Sequence, residues 1–189
     1  MEYPTKQVNW LQLSSFVLIG LLTIEIILLG LQNRELKAHL SFTGSGQVEP
    51  LKSGDRVPSF RMQTLDGNTN ELSYSDPSRK YLFFVLSTTC PHCEKTLPMW
   101  ESLAKGASGR FSVLGLCVHN LDETKKYVSS KNVGFYLASI FADTSFTRKY
   151  KIAGFPETIL VEGDGTVEKI WLGELSPEQT EEIKKLTGA

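Results

Sequence analysis

The stretch YLFFVLSTTCPHC, residues 81–93, decides the fold of this chain. Its first six residues are all apolar, which is typical of a central β-strand that is covered on both faces. Cys90 and Pro91 follow a short polar turn, and proline suits the first turn of a helix because its φ is fixed and its missing N–H is not needed there. The stretch therefore predicts a buried strand that leads into a helix beginning beside Cys90.

Two cysteines, Cys90 and Cys93, lie one helical turn apart at the start of this predicted helix. The unpaired backbone N–H groups and the positive end of the helix dipole favour a thiolate at Cys90, and a charged His92 adds to the effect. We therefore predict that Cys90 is the nucleophile of a redox site. Cys93 is the predicted resolving thiol, because it can attack a mixed disulfide on Cys90 and release the partner.

Zinc binding and a structural disulfide are the two other uses of such a pair. A structural zinc site needs four ligands, and outside the pair the chain offers only Cys117 and its three histidines, with no second pair at metal-binding spacing. A structural disulfide usually closes a longer loop. We therefore expect redox chemistry without a metal or cofactor, and we interpret Cys117 as a small buried residue with an unreactive thiol.

Residues 10–31 are almost wholly apolar, and their number matches a helix that crosses the hydrocarbon core of a bilayer. The run is longer than the apolar part of a signal peptide, and it ends in polar residues rather than small ones. It therefore predicts an uncleaved membrane anchor. Glu25 lies inside this run, where an ionised carboxylate is costly, so we expect it to be protonated, paired or facing other protein.

The charges that flank the apolar run leave its orientation open. Lys6 precedes the run, while Arg34 and Lys37 follow it, which favours a cytoplasmic C-terminal domain by a small margin. The redox chemistry favours the opposite side. We place the protein in the cell inner membrane as a single-pass protein, with its domain on the periplasmic or extracytoplasmic side.

The rest of the 189-residue chain divides into a tail, a linker and one globular domain. Residues 1–9 are the tail, residues 32–54 contain glycines and little apolar sequence and predict a flexible linker, and residues 55–189 are the domain. The net charge of −1 and the absence of a long basic run argue against a nucleic-acid partner. Alternating strands and helices, followed by a hairpin and a helix, predict a three-layer α/β fold.

Local signals place the elements within this domain. An Asp-Gly dipeptide suits the tight turn of a first hairpin, and a capping box at Ser176 opens the last helix. Asp122 is predicted to cap one helix, and Asp143 or Thr144 to cap a short helix that ends at residue 150. The other predicted elements are strands at residues 57–64, 69–72, 81–86, 111–118, 159–161 and 166–172, and helices at residues 94–106, 122–131 and 177–186.

Three separated motifs give the chain a resemblance to a known family. They are GDRVPSF at residues 54–60, CPHC with the following Glu94 and Pro98, and GFPET at residues 154–158. From about residue 55 to its C-terminus, the chain resembles the membrane-anchored thioredoxin-like proteins of the TlpA, ResA and CcmG/DsbE type. The resemblance implies a thioredoxin-like α/β fold, with a central mixed sheet, flanking helices and an N-terminal β-hairpin, and the activity of a thiol–disulfide oxidoreductase.

The GFPET motif resembles the loop that carries a cis-proline in this family. By that resemblance Pro156 is cis and lies beside the cysteines, and the Phe155 backbone offers hydrogen bonds to an extended substrate segment. We place Thr89 and Thr158 with Phe155 among the substrate-binding residues. Pro91 and His92 belong to the catalytic motif with the two cysteines.

Two positions depart from the pattern of these proteins. Thioredoxins carry a buried aspartate six residues before the first cysteine, and this chain has Phe84 there. Proton transfer to and from Cys93 must then use another group, and Glu157 is the candidate. Thr89 stands where the family usually has tryptophan, so the surface around Cys90 is expected to be more polar.

The leading hypothesis for function is a membrane-tethered enzyme that exchanges disulfides with cysteines of exported proteins, such as apocytochrome c or another metalloprotein precursor. A membrane redox partner would reset it. The Pro-His pair between the cysteines is that of the strong oxidant DsbA. We therefore expect a reduction potential between about −270 mV, the thioredoxin value, and about −120 mV, the DsbA value.

Two alternatives belong to other classes. A thiol peroxidase of the peroxiredoxin type shares the opening motif, and Ser87 fits the hydroxyl position of its peroxide site, but Phe83 replaces the proline that shields the reactive cysteine. A non-catalytic chaperone or metallochaperone would hold a substrate or Cu(I) on the two thiolates, but no methionine-rich or additional cysteine ligands accompany them.

Overall fold

The structure is a computed structural model that describes residues 16, 18–26, 49–107 and 109–188. The chain divides into two units, Met1–Gln47 and Val48–Ala189. In the first unit residues 16 and 18–26 are helical. The described residues contain no helix that is both long and apolar enough to cross a membrane. The rest of the predicted anchor, the predicted tail and most of the predicted linker lie outside the described residues.

The second unit is an α/β domain. Its strands are β1 (Phe60–Gln63), β2 (Thr69–Leu72), β3 (Lys80–Leu86), β4 (Phe111–Cys117), β5 (Leu137–Ser139), β6 (Glu157–Glu162) and β7 (Val167–Leu172), and its helices are α1 (Pro91–Gly106), α2 (Leu121–Lys131), α3 (Phe146–Lys149) and α4 (Pro177–Thr187). The strands form a single sheet in the order β2-β1-β5-β4-β3-β6-β7 within the described residues.

Strand β3 lies at the centre of this mixed sheet. It pairs with β4 in parallel on one side and with β6 in antiparallel on the other. The β1–β2 hairpin joins the sheet through β5, and β7 forms the opposite edge. Because β3 and β4 are parallel, their carboxyl ends meet at one edge of the sheet, where side chains on the following loops converge.

Both faces of β3 are covered, as its unbroken apolar sequence predicts. On the first face, which we call the α1 face, Leu82, Phe84 and Leu86 pack with α1 residues such as Trp100. On the second face, the α3 face, alternate residues of β3 pack with residues of β1 and α3. This cluster includes Phe60, Tyr81, Phe83, Val85, Phe146 and Tyr150. The alternation follows from the two-residue period of a strand, which places neighbouring residues on opposite faces of the sheet.

The structure starts the folded domain earlier than the sequence predicts. Leu51, which belongs to the predicted linker, is buried in the core of the α3 face. The Gly54 N–H donates to the Val167 carbonyl at 2.8 Å. The end of the predicted linker therefore pairs with β7. The burial of Leu51 shows that a single apolar residue in a polar stretch can still be part of a core.

Two helix starts differ from the predicted caps. Helix α2 begins one residue earlier than predicted, because Asn120, and not Asp122, accepts the Glu123 N–H through its side chain at 3.0 Å. Helix α3 begins at Phe146 without a side-chain cap, since Asp143 accepts from the Ser145 backbone instead. The capping box at Ser176 is present as predicted.

Candidate active site

Cys90 is the N-cap residue of α1. It has extended backbone dihedrals, φ −92° and ψ 111°, and its sulfur accepts the Cys93 N–H at 3.3 Å. The sulfur therefore takes the place of the side-chain oxygen that usually caps a helix, at the end where unpaired N–H groups favour negative charge. Pro91 follows in the first turn, as predicted. Cys90 is half-buried, so its sulfur is accessible to a partner.

Cys93 is fully buried behind Cys90, and its exposed fraction is 0%. Burial raises the pKa of the Cys93 thiol far above its ordinary value, and the adjacent Cys90 sulfur raises it further. A hydrogen bond from the Ser87 backbone opposes this rise. All three cysteines of the chain are free thiols. The pair is thus asymmetric, with an accessible sulfur at the helix cap and a protonated one beneath it.

The loop before β6 lies against the Cys90 sulfur. The Phe155–Pro156 peptide bond is cis, as the resemblance implied. The Cys90 thiol donates to the Phe155 carbonyl at 3.5 Å, which is within hydrogen-bonding range for sulfur. The Gly173 N–H donates to the Pro156 carbonyl at 2.8 Å and ties this loop to the loop after β7. The hydrogen bond to Gly173 therefore helps to fix the loop before β6 beside the Cys90 sulfur.

His92 contacts the loop after β7. Its Nδ1 is hydrogen-bonded to Glu174, and its side chain is 60% exposed. Lys95 contacts the same carboxylate at 3.2 Å. The hydrogen bond with His92, followed by that with Lys95, lowers the pKa of Glu174. A charged His92 would therefore interact with the Glu174 carboxylate as well as with the groups at the helix cap.

An aromatic stack replaces the buried aspartate of thioredoxins. Phe84 stacks on Trp100 with a centroid distance of 5.0 Å, and both are fully buried. The Trp100 indole N–H donates to the Thr158 hydroxyl at 2.9 Å. The prediction that Thr158 binds substrate is wrong, because its exposed fraction is 0% and its hydroxyl joins β6 to α1. Thr89 is exposed beside Cys90, where a substrate can reach it.

Glu157 is a buried carboxyl with an exposed fraction of 2%. It accepts the Ala153 N–H at 3.2 Å, and burial raises its pKa to about 7. Glu157 pairs with Val85 in the sheet, so its side chain lies on the α3 face, whereas Cys93 packs on the α1 face. The structure does not bring Glu157 to Cys93, and this corrects the prediction that the two exchange a proton.

Sequence reasoning missed a chain of polar side chains next to the cysteines. Ser87 Oγ lies 2.9 Å from His119 Nε2, and His119 Nδ1 lies 3.1 Å from Glu123 Oε2. The signal was present, since Ser87 directly follows β3, His119 is the second residue after the neighbouring parallel strand β4, and Glu123 comes four residues after His119. Within the described residues, no three His, Cys, Asp or Glu side chains converge to hold a metal ion.

The sheet order, the cysteine pair at a helix N-terminus and the adjacent cis-proline loop together define a thioredoxin-like redox protein. Comparison with known proteins gives the family. The chain belongs to the Redoxin family, which it matches over residues 52–187.

Relatives and solved structures agree with this class. The chain is 25% identical over 168 residues to the sporulation thiol-disulfide oxidoreductase A of Bacillus subtilis, covering 86% of this chain and 94% of that protein. It is 31% identical over 145 residues to the thiol:disulfide interchange protein DsbE of Escherichia coli, covering 74% and 76%. A crystal structure described as a putative DsbE of Chlorobium tepidum matches with a TM-score of 0.60 at 20% identity, covering 71% of this chain and 94% of that one. The protein is a thiol–disulfide oxidoreductase.

Proposed function

We propose that the protein is a membrane-tethered oxidoreductase that exchanges disulfides with cysteines of exported proteins through Cys90 and Cys93. The observation that carries the proposal is the asymmetry of the pair. The Cys90 sulfur is accessible at the N-terminus of α1, and the Cys93 thiol is buried one turn later. This arrangement suits a nucleophile and a resolving thiol.

Reduction of a substrate disulfide proceeds in two steps. The Cys90 thiolate attacks one substrate sulfur, forms a mixed disulfide and releases the other substrate sulfur as a thiolate. Cys93 then loses its proton and attacks the Cys90 sulfur, which forms the Cys90–Cys93 disulfide and releases the second substrate thiolate. The two released thiolates take up protons, and the substrate has gained two electrons from the protein. The reverse sequence donates a disulfide.

The substrate segment lies against the cis-proline loop. The Phe155 carbonyl faces the Cys90 sulfur and can accept a backbone N–H from an extended segment that docks there. Thr89, which precedes Cys90 in the chain, is exposed, and its hydroxyl can add a polar contact. Backbone hydrogen bonds do not depend on the side chains of the substrate. They therefore suit an enzyme whose substrates have a cysteine in common but differ in the surrounding sequence.

The apolar run at residues 10–31 is the proposed tether, and the domain works on the extracytoplasmic side of the inner membrane. Its proposed substrates are cysteines of apocytochrome c or another metalloprotein precursor, and a membrane protein resets the Cys90–Cys93 pair. These assignments extend the likeness to the thiol:disulfide interchange protein DsbE. Phe83, at the proline position of the peroxidase motif, is a core residue of β3, which argues against the peroxidase alternative.

A trapping experiment tests the proposal. In the full-length protein, Cys93→Ser should accumulate mixed disulfides with exported proteins, because Cys90 can still attack but nothing resolves the product. The adducts should disappear when Cys90 is also replaced by serine. Cys117→Ser in the Cys93→Ser background is the matched control and should trap the same adducts. Trapping that survives the loss of Cys90, or no trapping at all, would contradict the proposed roles.

A further inference from the structure

Three side chains form a continuous hydrogen-bonded chain behind the cysteine pair. We call Ser87, His119 and Glu123 the His119 chain. Ser87 Oγ is 2.9 Å from His119 Nε2, and His119 Nδ1 is 3.1 Å from Glu123 Oε2. Ser87 is buried, and the His119 side chain is 25% exposed. The chain therefore runs from the interior of the site to the surface.

The fold brings these residues together from three elements. Leu86 and Cys117 are partners in the parallel ladder of β3 and β4, so the residues that follow them emerge side by side. The Ser139 hydroxyl donates to the His119 carbonyl at 2.6 Å and fixes the backbone after β4. Glu123 lies in the first turn of α2, four residues after His119. Three independent elements thus hold the imidazole ring in place.

Ser87 joins this chain to both cysteines through its backbone. Its carbonyl accepts the Cys90 N–H at 3.2 Å. The Ser87 backbone also lowers the pKa of the Cys93 thiol, against the larger effect of burial. The Ser87 hydroxyl lies 3.1 Å from the Thr89 hydroxyl, within the same turn. Ser87 therefore contacts the Cys90 backbone and influences the Cys93 thiol.

In the part of the chain that the structure describes, Phe84 and not a carboxylate occupies, on the α1 face, the position of the buried aspartate in thioredoxins. Reduction of the pair takes up two electrons and one proton, and it leaves the Cys90 thiolate and the Cys93 thiol. The Ser87 carbonyl holds the Cys90 N–H at the start of α1, where the Cys90 sulfur accepts the Cys93 N–H. An acceptor contact of this kind favours a thiolate at Cys90, and hence the reduced pair over the disulfide.

We propose that His119 is a positioning residue of the redox site, which holds Ser87 in the orientation that stabilises the reduced Cys90–Cys93 pair. Glu123 accepts from Nδ1–H and so presents Nε2 to the Ser87 hydroxyl. This proposal rests on the proposed function of the two cysteines. If His119 has this role, its replacement changes the redox equilibrium of the Cys90–Cys93 pair and not only the stability of the fold.

The test measures the equilibrium of the full-length protein with glutathione. His119→Leu removes the contact to Ser87, so the constant for oxidation of the pair by glutathione disulfide should rise about tenfold, which lowers the potential by about 30 mV for a two-electron couple. His119→Gln should recover most of the change, because its amide oxygen can accept the Ser87 hydroxyl in place of Nε2. Asp122→Asn, on the exposed first turn of α2, is the control and should match the wild-type constant.

A double-variant cycle tests whether His119 acts through Ser87. Ser87→Ala should reproduce the shift of His119→Leu, and the combination should add nothing further, because the two changes break the same contact. Unchanged constants in His119→Leu, additive shifts in the double variant, or a His119→Gln protein no closer to wild type than His119→Leu would overturn the inference alone. A wild-type protein that forms no Cys90–Cys93 disulfide would overturn the proposed function and this inference with it.

Discussion

We expect Glu174 to limit how much of the His92 charge acts on the Cys90 sulfur. A protonated imidazole near the cap stabilises the thiolate and the reduced form, but here it is hydrogen-bonded to a carboxylate. Glu174→Gln should therefore raise the reduction potential. We expect the oxidation constant with glutathione to fall twofold to threefold, a small change because the pair is exposed.

The control for this prediction is Glu181→Gln, which removes another exposed carboxylate that pairs with Lys184 on α4. It should leave the constant unchanged. If Glu174→Gln and Glu181→Gln shift the constant equally, the effect reports overall charge rather than the contact with His92.

Glu157 makes the stability of the domain depend on pH. Its pKa is raised from 4.5 to about 7 in the folded protein by burial. Between these values the folded state keeps a proton that the unfolded state has lost, so stability falls as pH rises through this window and levels off above it. The decrease should reach about 3 kcal/mol.

Urea unfolding of the full-length protein from about pH 5 to about pH 8 measures this slope. Glu157→Gln should flatten it, because the amide does not ionise, and Glu181→Gln, which changes an exposed carboxylate, should not. An unchanged slope in Glu157→Gln would show that another group carries the dependence.

At the scale of elements, the contact between β6 and α1 fixes the helix that carries the cysteines. The Trp100 N–H has the Thr158 hydroxyl as its partner inside the core. Thr158→Val keeps the side-chain shape but leaves this N–H unpaired, so we expect a loss of about 1–3 kcal/mol in unfolding free energy. The double variant Thr158→Val, Trp100→Phe should lose less unfolding free energy than the sum of the two single variants. The reason is that Trp100→Phe removes the N–H that Thr158→Val leaves unpaired. Additive losses would contradict the role of the hydrogen bond.

The elements that the sequence predicts well have strong local signals. The central strand β3 is a continuous apolar run, and the last helix has its capping box at Ser176. Strand β5 was missed because it has three residues, too few to show a period, and it exists through pairing with β4. Local signals therefore define the strands and helices that carry the cysteines but not the short strand that joins the hairpin.

The cysteine pair was predictable from its spacing, whereas the surrounding contacts depend on the sheet. Thr158 and Glu157 are adjacent in sequence and face opposite sides of β6, and only the register with β3 shows which one approaches α1. The register of β3 with β4 likewise brings Ser87 and His119 together from positions 32 residues apart. Sequence patterns identify reactive residues, but the partners that tune them come from non-local pairing.

At the scale of the whole molecule, the proposed tether predicts on which side of the membrane the sulfurs lie. A membrane-impermeant maleimide should label the full-length protein in intact cells at Cys90, because Cys93 and Cys117 are buried. Cys90→Ser should abolish this labelling. Labelling that requires permeabilised cells would place the domain in the cytoplasm and contradict the proposed location.

The reduction potential of the whole protein follows from opposing contributions at the site. The histidine between the cysteines favours the reduced form, while its hydrogen bond to Glu174 weakens that effect. We therefore expect a potential between about −270 mV and about −120 mV, measured by equilibrating the full-length protein with glutathione mixtures. Cys117→Ser should give the same value, since that thiol takes no part in the exchange. A value at the upper limit would mean that Glu174 does not offset His92, and one at the lower limit that His92 has no influence on the pair.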